Sequence, residues 1–432
     1  MPTRSLVHPR HEIVQTIERI YGYRMTTTSG GNVSIRDENG DVWITPARID
    51  KGALRAEDIV CVTSAGEARG PHRPSSEFPF HQAIYRARPD VRAVVHAHPV
   101  ALVAFSICRQ MPNTAIFPQA HFICGKVGFA PYALPGSERL GRNIAAVFAD
   151  GADCVMLENH GVVVAGEDLQ QAFGRFETLE FCAKTVIKAA HLGPIRYLTA
   201  EQLETWRKPR AIVEEFSPGP ASTIEKELRQ QVAQFVCRAY RQRLFTSTEG
   251  SFSARLGDDE FVITSVGVDR AATTPQNLTL VRGGKQEAGK RASRASRIHR
   301  AIYQRWPSVK AVVNAMPVNA TAFSVTDQRL DARTIPESYL FLRDVTVAPF
   351  RAEFGEPDQV AELINPDRPV LIVENDGVLV AGQSVLDAFD RLEVLESTAE
   401  AIINSRSVGT VCPMDDSTIH ELMAAFAPKA TT

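Results

Sequence analysis

Residues 93–106 read AVVHAHPVALVAFS. In a strand, His96 and His98 leave the same face, about 6–7 Å apart at Cα, and two imidazoles so placed converge on one ion. A third, His160, sits in ENHGVVVAG, where a tight turn at Asn159-His160-Gly161 joins two apolar runs and holds a ligand rigidly. Three neutral imidazoles with one position left open suit a catalytic Zn²⁺. Fe²⁺, Mn²⁺ and Co²⁺ are held by the same donors. An HxH pair alone is weak evidence and reads first as two hydrogen-bonded or surface histidines, so the case rests on the rest of the chain.

That case comes from a repeat. AVVHAHPVALVAFS returns as AVVNAMPVNATAFS at 311–324, and LENHGVVVAG (157–166) returns as VENDGVLVAG (373–382). SGGNVSIR (29–36) answers TEGSFSAR (248–255), and WITPARID (43–50) answers VITSVGVD (262–269). The offset drifts only from 219 to 216 residues, too long for a solenoid unit, so each copy is a whole domain. All three histidines are replaced together in the second copy, by Asn314, Met316 and Asp376, while the frame around them stays. Of eleven histidines, only His299 and His420 lie after residue 220. Core histidines would not vanish as a set.

PSSEFPFH (74–81) aligns with ASRASRIH (292–299), so Glu77 is lost with the histidines, becoming Ala295. Glu77 in the first turn of a helix over 76–88 reads as a dipole or capping carboxylate. Its joint loss supports the other reading, a carboxylate that moves protons at the metal. Ser75 or Ser76 is the expected N-cap. Their hydroxyls and the free N–H groups of that helix start suit an anionic substrate group.

These residues must be positioned by two domains, 1–216 and 217–432, joined near Ser217-Pro218-Gly219-Pro220, a run that cannot continue a helix. An amphipathic helix opens each copy, IVQTIERIYGY and LRQQVAQFVCRAY, and short β-rich runs follow. VRAVVHAHP reads as a buried strand, PGSERLGRNIAAVFA as a helix after a turn, and CVMLENHGVVVAG as two strands. A long helix starts at Asp168 and ends at Gly193. Strands and helices mix without alternating cleanly. Each domain is therefore expected to be α/β, a mostly antiparallel central sheet covered by helices in three αβα layers.

A net charge of −2 argues against general nucleic-acid binding. No run approaches the ~20 apolar residues of a membrane span. The N-terminal MPTRSLVHPRHEIVQTIERI lacks the apolar core of a signal peptide. Seven cysteines, without CxxC spacing, fit reduced thiols. A cytoplasmic protein with no membrane partner is the expectation.

GN-x-S-x-R, ITP, PSSE, H-x-H-P and NHG, in this order and spacing, resemble the class II aldolase/adducin family. The resemblance covers residues 10–200 and, more weakly, 225–410. It implies a metal on His96, His98 and His160, with Glu77 as acid/base, in a lyase. The reaction implied is aldol cleavage or condensation, or decarboxylation, of a hydroxy-carbonyl or keto-acid through a metal-stabilised enediolate. Epimerases of the family usually carry Asp at the Glu77 position, so Glu77 leans toward C–C chemistry. The family's phosphate site maps to Asn32, Ser75 and Ser76, but its Ser-Gly after ITP is here Ala47-Arg48. Arg48 reads equally as a bidentate anion grip or as a surface arginine. Tyr132 is a candidate for a tyrosine that works across subunits. The family also includes non-heme iron oxygenases on the same three histidines and adducin-like binding modules. Its ring-like assemblies imply a homodimer, a pseudo-tetramer of domains, in which the second copy is a pseudo-domain kept for shape. The basic run at 282–297 reads as a solvated loop and helix start.

Overall fold

The computed structural model describes residues 7–207, 213–350 and 357–426. Two compact units emerge, the first up to Thr114 and over Gln119–Lys184, the second comprising Ala115–Pro118 and the chain from Thr185 onward.

The first unit is built on strands β1 (Asn32–Arg36), β2 (Val42–Ile44), β3 (Val60–Val62), β4 (Ala68–Arg69), β5 (Ala93–Ala97), β6 (Val127–Ala130), β7 (Cys154–Leu157) and β8 (Gly161–Gly166). They form one sheet in the order β4-β3-β2-β1-β5-β8-β7-β6, antiparallel throughout except where β6 lies parallel to β7. The helices are α1 (Pro9–Gly22), α2 (Phe78–Ala87), α3 (Val100–Ile107), α4 (Pro118–Cys124), α5 (Glu138–Ala149) and α6 (Leu169–Ala190).

Alternation along the strands sorts the two faces. Val94, Val155, Leu157, Val163 and Ala165 pack under α2 and α5 with Phe80, Ile84, Leu140, Ile144 and Phe148. On α2 the buried positions 80, 81, 84 and 85 make one stripe. Truncating a member such as Ile84 to Ala would cost about 2–5 kcal/mol. α1 buries Ile13, Ile17 and Ile20 at helical spacing and packs along β1.

Two expected boundaries move. Helix α2 starts at Phe78, with Glu77 at the N-cap position making no capping bond through its side chain. Ser75 Oγ instead accepts from Glu77 N at 3.3 Å. The long helix α6 ends at Ala190, because Leu192 N turns back to Ala189 O, and Gly193 follows at φ +150°.

The second unit repeats the plan. Its sheet runs, among the described residues, Thr346–Ala348, Val370–Val373, Gly377–Gly382, Ala311–Ala315, Ser251–Gly257, Glu260–Ile263, Thr279–Arg282, Lys285–Glu287, Glu215–Phe216. Glu215–Phe216, just before the Ser217-Pro218-Gly219-Pro220 join, pairs in parallel with Lys285–Glu287.

Candidate active site

The end of β5, the start of α2 and the β7–β8 turn meet at one point. His96 and His98 leave the same face of β5, as the period of two requires. Their Nε2 atoms are 3.1 Å apart. His160 joins them from the turn, where Asn159 takes φ +53°, a left-handed conformation that Asn tolerates. One nitrogen from each of the three histidines lies within 4.8 Å of the others. Glu77 closes the group, Oε2 being 3.2 Å from His96 Nε2 and Oε1 3.5 Å from His160 Nε2.

Close packing here depends on glycine. A Cβ on Gly161 would stand 2.5 Å from Ala97 O and 2.7 Å from His98 Cδ2. Gly31, at φ +70°, passes so near β5 that a Cβ would stand 2.8 Å from His96 O.

Protonation is set by the surroundings. His96 is fully buried and its Nδ1 lies 2.9 Å from Val162 O. A carbonyl only accepts, so Nδ1 carries a proton, which leaves Nε2 as the His96 atom that would meet an ion. Burial, with His96 adding, pushes His98 down to about 3 and His160 down to about 4. Burial would raise the Glu77 carboxyl, but His96, His160 and Asn32 outweigh it and hold it below the usual carboxylate range. Ser106 donates to Leu157 O at 2.8 Å and accepts from His160 N at 3.1 Å, fixing the turn.

Glu77 also ends a directed chain. Asn32 Nδ2 donates to Glu77 Oε2 at 2.8 Å. That orients the amide, so its Oδ1 accepts from His81 Nε2 at 2.5 Å. His81 Nδ1 then accepts from Ser34 Oγ at 2.7 Å, and Ser34 accepts from the Tyr85 hydroxyl at 2.7 Å. Burial holds His81 down at about 3, neutral as this chain requires.

The anion candidates lie beside this centre, on three loops held together. Ala47 N donates to Arg73 O at 3.0 Å and Ser75 N to Thr45 O at 3.1 Å. Ser75 is buried and Ser76 is exposed. Arg48 is exposed at φ +57°, where the second copy has Gly267 at φ +78°. A non-glycine residue in that region costs about 1–2 kcal/mol. Asn32 is buried, with its amide engaged by Glu77 and His81, so it orients Glu77. Tyr132 is 51% exposed, on a loop tied at both ends. Its N–H donates to Glu158 Oε2 at 2.8 Å, and a Cβ on Gly136 would stand 3.1 Å from Ser76 O.

The donor set fits a divalent ion. One nitrogen from each of the three imidazoles faces the others, burial keeps His98 and His160 low, and the buried Glu77 Oε1 has no hydrogen-bond partner. Sequence reasoning did not find Ser34, His81, Tyr85, Ser106 or Lys51. The signal was there for the first three, because Ser253, His299 and Tyr303 repeat them.

In the second copy Asn314 and Met316 stand where His96 and His98 stand, and both His299 and Asp376 are buried. Ser251 and Ser293 hydrogen-bond to each other across the space that Asn32 and Ser75 flank in the first.

Comparisons with known proteins place both copies in one family. The profile of the Class II Aldolase and Adducin N-terminal domain matches residues 11–187 and again 230–403. A 3-oxo-tetronate 4-phosphate decarboxylase of Escherichia coli O6:H1 is 34% identical over 46% of this chain and 94% of its own length. An L-fuculose phosphate aldolase of Methanococcus maripaludis is 32% identical over 40% of this chain and 93% of its own. A 5-methylthioribulose-1-phosphate/5-deoxyribulose-1-phosphate aldolase of Rhodospirillum rubrum is 30% identical over 46% and 90%. No helix among the described residues is long and apolar enough to cross a membrane. The chain belongs to the class II aldolase and adducin family, with two copies of the family's domain in tandem, and is a class II aldolase-like lyase.

Proposed function

We propose that the first domain is a metal-dependent carbon–carbon lyase acting on a small anionic hydroxy-carbonyl or keto-acid. The observation that carries this reading is the convergence of three imidazoles and an ionised, half-orphaned carboxylate on one point. His96, His98 and His160 would hold the ion, Zn²⁺ by preference for three imidazoles, with Fe²⁺, Mn²⁺ and Co²⁺ as alternatives. Bound there, the cation draws electron density from a substrate carbonyl. Glu77, with Oε2 held by Asn32, keeps Oε1 available to take or return a proton on the carbon beside that carbonyl. Loss of carbon dioxide from a 3-oxo acid and aldol cleavage of a ketose both leave an electron pair conjugated with a carbonyl, so one site could serve either kind of bond cleavage, and relatives are named for each. Ser75, Ser76 and Arg48 bind the substrate's anionic end. The strain at Arg48 supports a role for its guanidinium, since glycine is the residue that backbone favours.

The second domain does no chemistry in this reading and serves assembly. In the second unit Asn375, the counterpart of Asn159, donates to the carbonyls of Ile116 (3.0 Å) and Arg196 (2.9 Å), and Arg196 N donates to Val325 O (2.8 Å). In the first unit Asn159 is exposed, and Ile107, the counterpart of buried Val325, is 61% exposed. The covering pieces also recur. Met414 N bonds Arg333 O at 2.7 Å as Leu198 N bonds Ala115 O at 2.8 Å, and Ile335 is 44% exposed where Phe117 is buried. A second chain's Ile335 region covering Ile107 and Asn159 makes a closed homodimer.

The test is metal content per chain after purification without added metal, followed by assays on phosphorylated 3-oxo acids and ketoses. About one zinc per chain, with Glu77→Gln slowing turnover by about 10²–10⁴-fold and keeping its metal, is the expected result. One iron with O₂ uptake would select the oxygenase reading. No metal after reconstitution would select a binding module.

A further inference from the structure

Lys51 is 2% exposed, at the foot of the loops that carry Arg48 and Ser75. Its backbone N–H donates to Thr28 O at 3.0 Å and its ammonium to Pro46 O at 3.1 Å, tying the Thr26–Gly31 turn to the Pro46–Asp50 loop. Among the described residues no carboxylate pairs with it; the neighbouring Asp50 caps Gly52 N at 2.8 Å. A buried ammonium without a counter-ion is costly, and burial alone lowers Lys51 to about 8.

The second copy shows what a purely structural cation looks like in this position. Arg270 there donates to Gly250 O (2.7 Å), Ser265 O (3.0 Å) and Val268 O (2.7 Å). Its hydrogen bonds staple the same two loops by themselves. An ammonium has three donors, and Lys51 places one of them on a protein carbonyl. The copy that holds the histidines thus has a cation with spare donors under the loop and an outward guanidinium, Arg48, on top of it. The copy without them has a stapled Arg270 and a glycine, Gly267.

We propose that Lys51 is a positioning residue for substrate binding: its buried charge, set beneath the Thr45–Asp50 loop, attracts and orients the substrate's anionic end between Arg48 and the Ser75–Ser76 turn. This rests on the reading of those three residues as the anion cradle. The anion supplies the counter-charge that the fold withholds. The chemistry selected is a phosphate or carboxylate at the end of the substrate remote from the metal, bound more tightly than neutral analogues.

The experiment compares the metal-loaded full chain with Lys51→Gln, which keeps a hydrogen bond to Pro46 O without charge, and with Lys51→Arg and Lys51→Met. Inorganic phosphate is titrated by calorimetry, and KM and kcat are measured separately. Losing one buried charge should weaken phosphate binding and raise KM by about tenfold or more in Lys51→Gln and Lys51→Met. Turnover at saturation and metal content should stay near wild type, and Lys51→Arg should recover most of the loss. A merely structural lysine would lower kcat and KM performance together and spare phosphate binding in the soluble Lys51→Gln chain. Wild-type phosphate affinity retained by Lys51→Gln overturns this inference alone. A wild-type chain that takes up no phosphate overturns the cradle and this inference with it.

Discussion

Asn314 gives His299 the carbonyl oxygen that Asn32 gives His81, but from the neighbouring strand. Asn32 stands opposite His96 in the β1–β5 register, and Asn314 stands opposite Ser251 at the same rung of the second sheet. The bonds are 2.5 Å and 2.6 Å. Behind each lies the same pair of contacts, Ser34 with Tyr85 and Ser253 with Tyr303, every one at 2.7 Å. The chain therefore has one part needed by the fold and one end that only the first copy uses. Losing His96 freed a position from which an amide could satisfy the buried histidine.

This separation predicts how substitutions divide. Tyr85→Phe and Tyr303→Phe should each lower stability by about 0.5–1.5 kcal/mol, and neither should change kcat beyond a few-fold. Asn32→Ala should lower kcat by about 10–100-fold, the usual cost of losing a residue that orients a site group, with metal content unchanged. Denaturant midpoints, metal analysis and steady-state kinetics on the three variants decide it. Equal kinetic effects from Tyr85→Phe and Asn32→Ala would mean that the chain acts as a unit and Glu77 orientation is not its endpoint.

Gly161 and Gly377 offer a second contrast. A Cβ would collide with Ala97 O in one and with Ala315 O in the other, so both Ala variants should lose about 1–3 kcal/mol by overpacking. Only at Gly161 is the other neighbour a metal-ligand ring, His98 Cδ2 at 2.7 Å. Gly161→Ala should therefore lose metal and activity, whereas Gly377→Ala should be destabilised with metal content intact. Full metal occupancy in Gly161→Ala would show that the ring is not held where the structure puts it.

Much of this was legible in the sequence because the chain carries its own control. Motif residues lost as a set, His96, His98, His160 and Glu77, converge in space; motif residues kept in both copies, Ser34, His81 and Tyr85, form the buried chain. Strand period placed His96 and His98 on one face, and apolar runs bounded by turns placed β7 and β8. What escaped were features that depend on three-dimensional proximity. Glu77 is at the N-cap position instead of inside the helix because Asn32 and His96 hold its carboxylate. Lys51 reads as an ordinary surface lysine until the loops close over it. The role of Val162 is carried by a backbone carbonyl, to which side-chain patterns are blind.

His299 carries a pH prediction free of the metal site. It is fully buried and burial lowers it from 6.5 to about 4. A histidine depressed in the folded state stays neutral there while the unfolded chain takes up a proton. Its contribution is therefore complete above pH 6.5, declines as pH falls below that, and is gone near pH 4. The span corresponds to about 3 kcal/mol. Urea unfolding of the second domain's transition at pH 7 and pH 5 should show the loss, and His299→Gln, less stable at pH 7, should show a flatter dependence. An equally steep dependence in the variant would place the titration elsewhere.

The proposed dimer joins unlike faces, Ile107 and Asn159 on one chain against Ile335 on the other, and that makes it testable by complementation. Ile107→Lys and Ile335→Glu each put a charge into an apolar contact, and because a closed pair uses that contact twice, each variant alone breaks both copies of it. Sedimentation should find the wild type at the mass of two chains and each variant at the mass of one. In a mixture of the two variants, one junction sets the new lysine of one chain against the new glutamate of the other. The second junction is entirely wild type, so the two-chain mass should return. Activity should follow mass, falling by about tenfold or more in the single variants, because Ile107 adjoins the Ser106 hydroxyl that fixes His160 and small displacements of a reacting group are costly. A wild type at the mass of one chain, or a mixture that stays dissociated, would remove the pairing and leave the second domain without its proposed task.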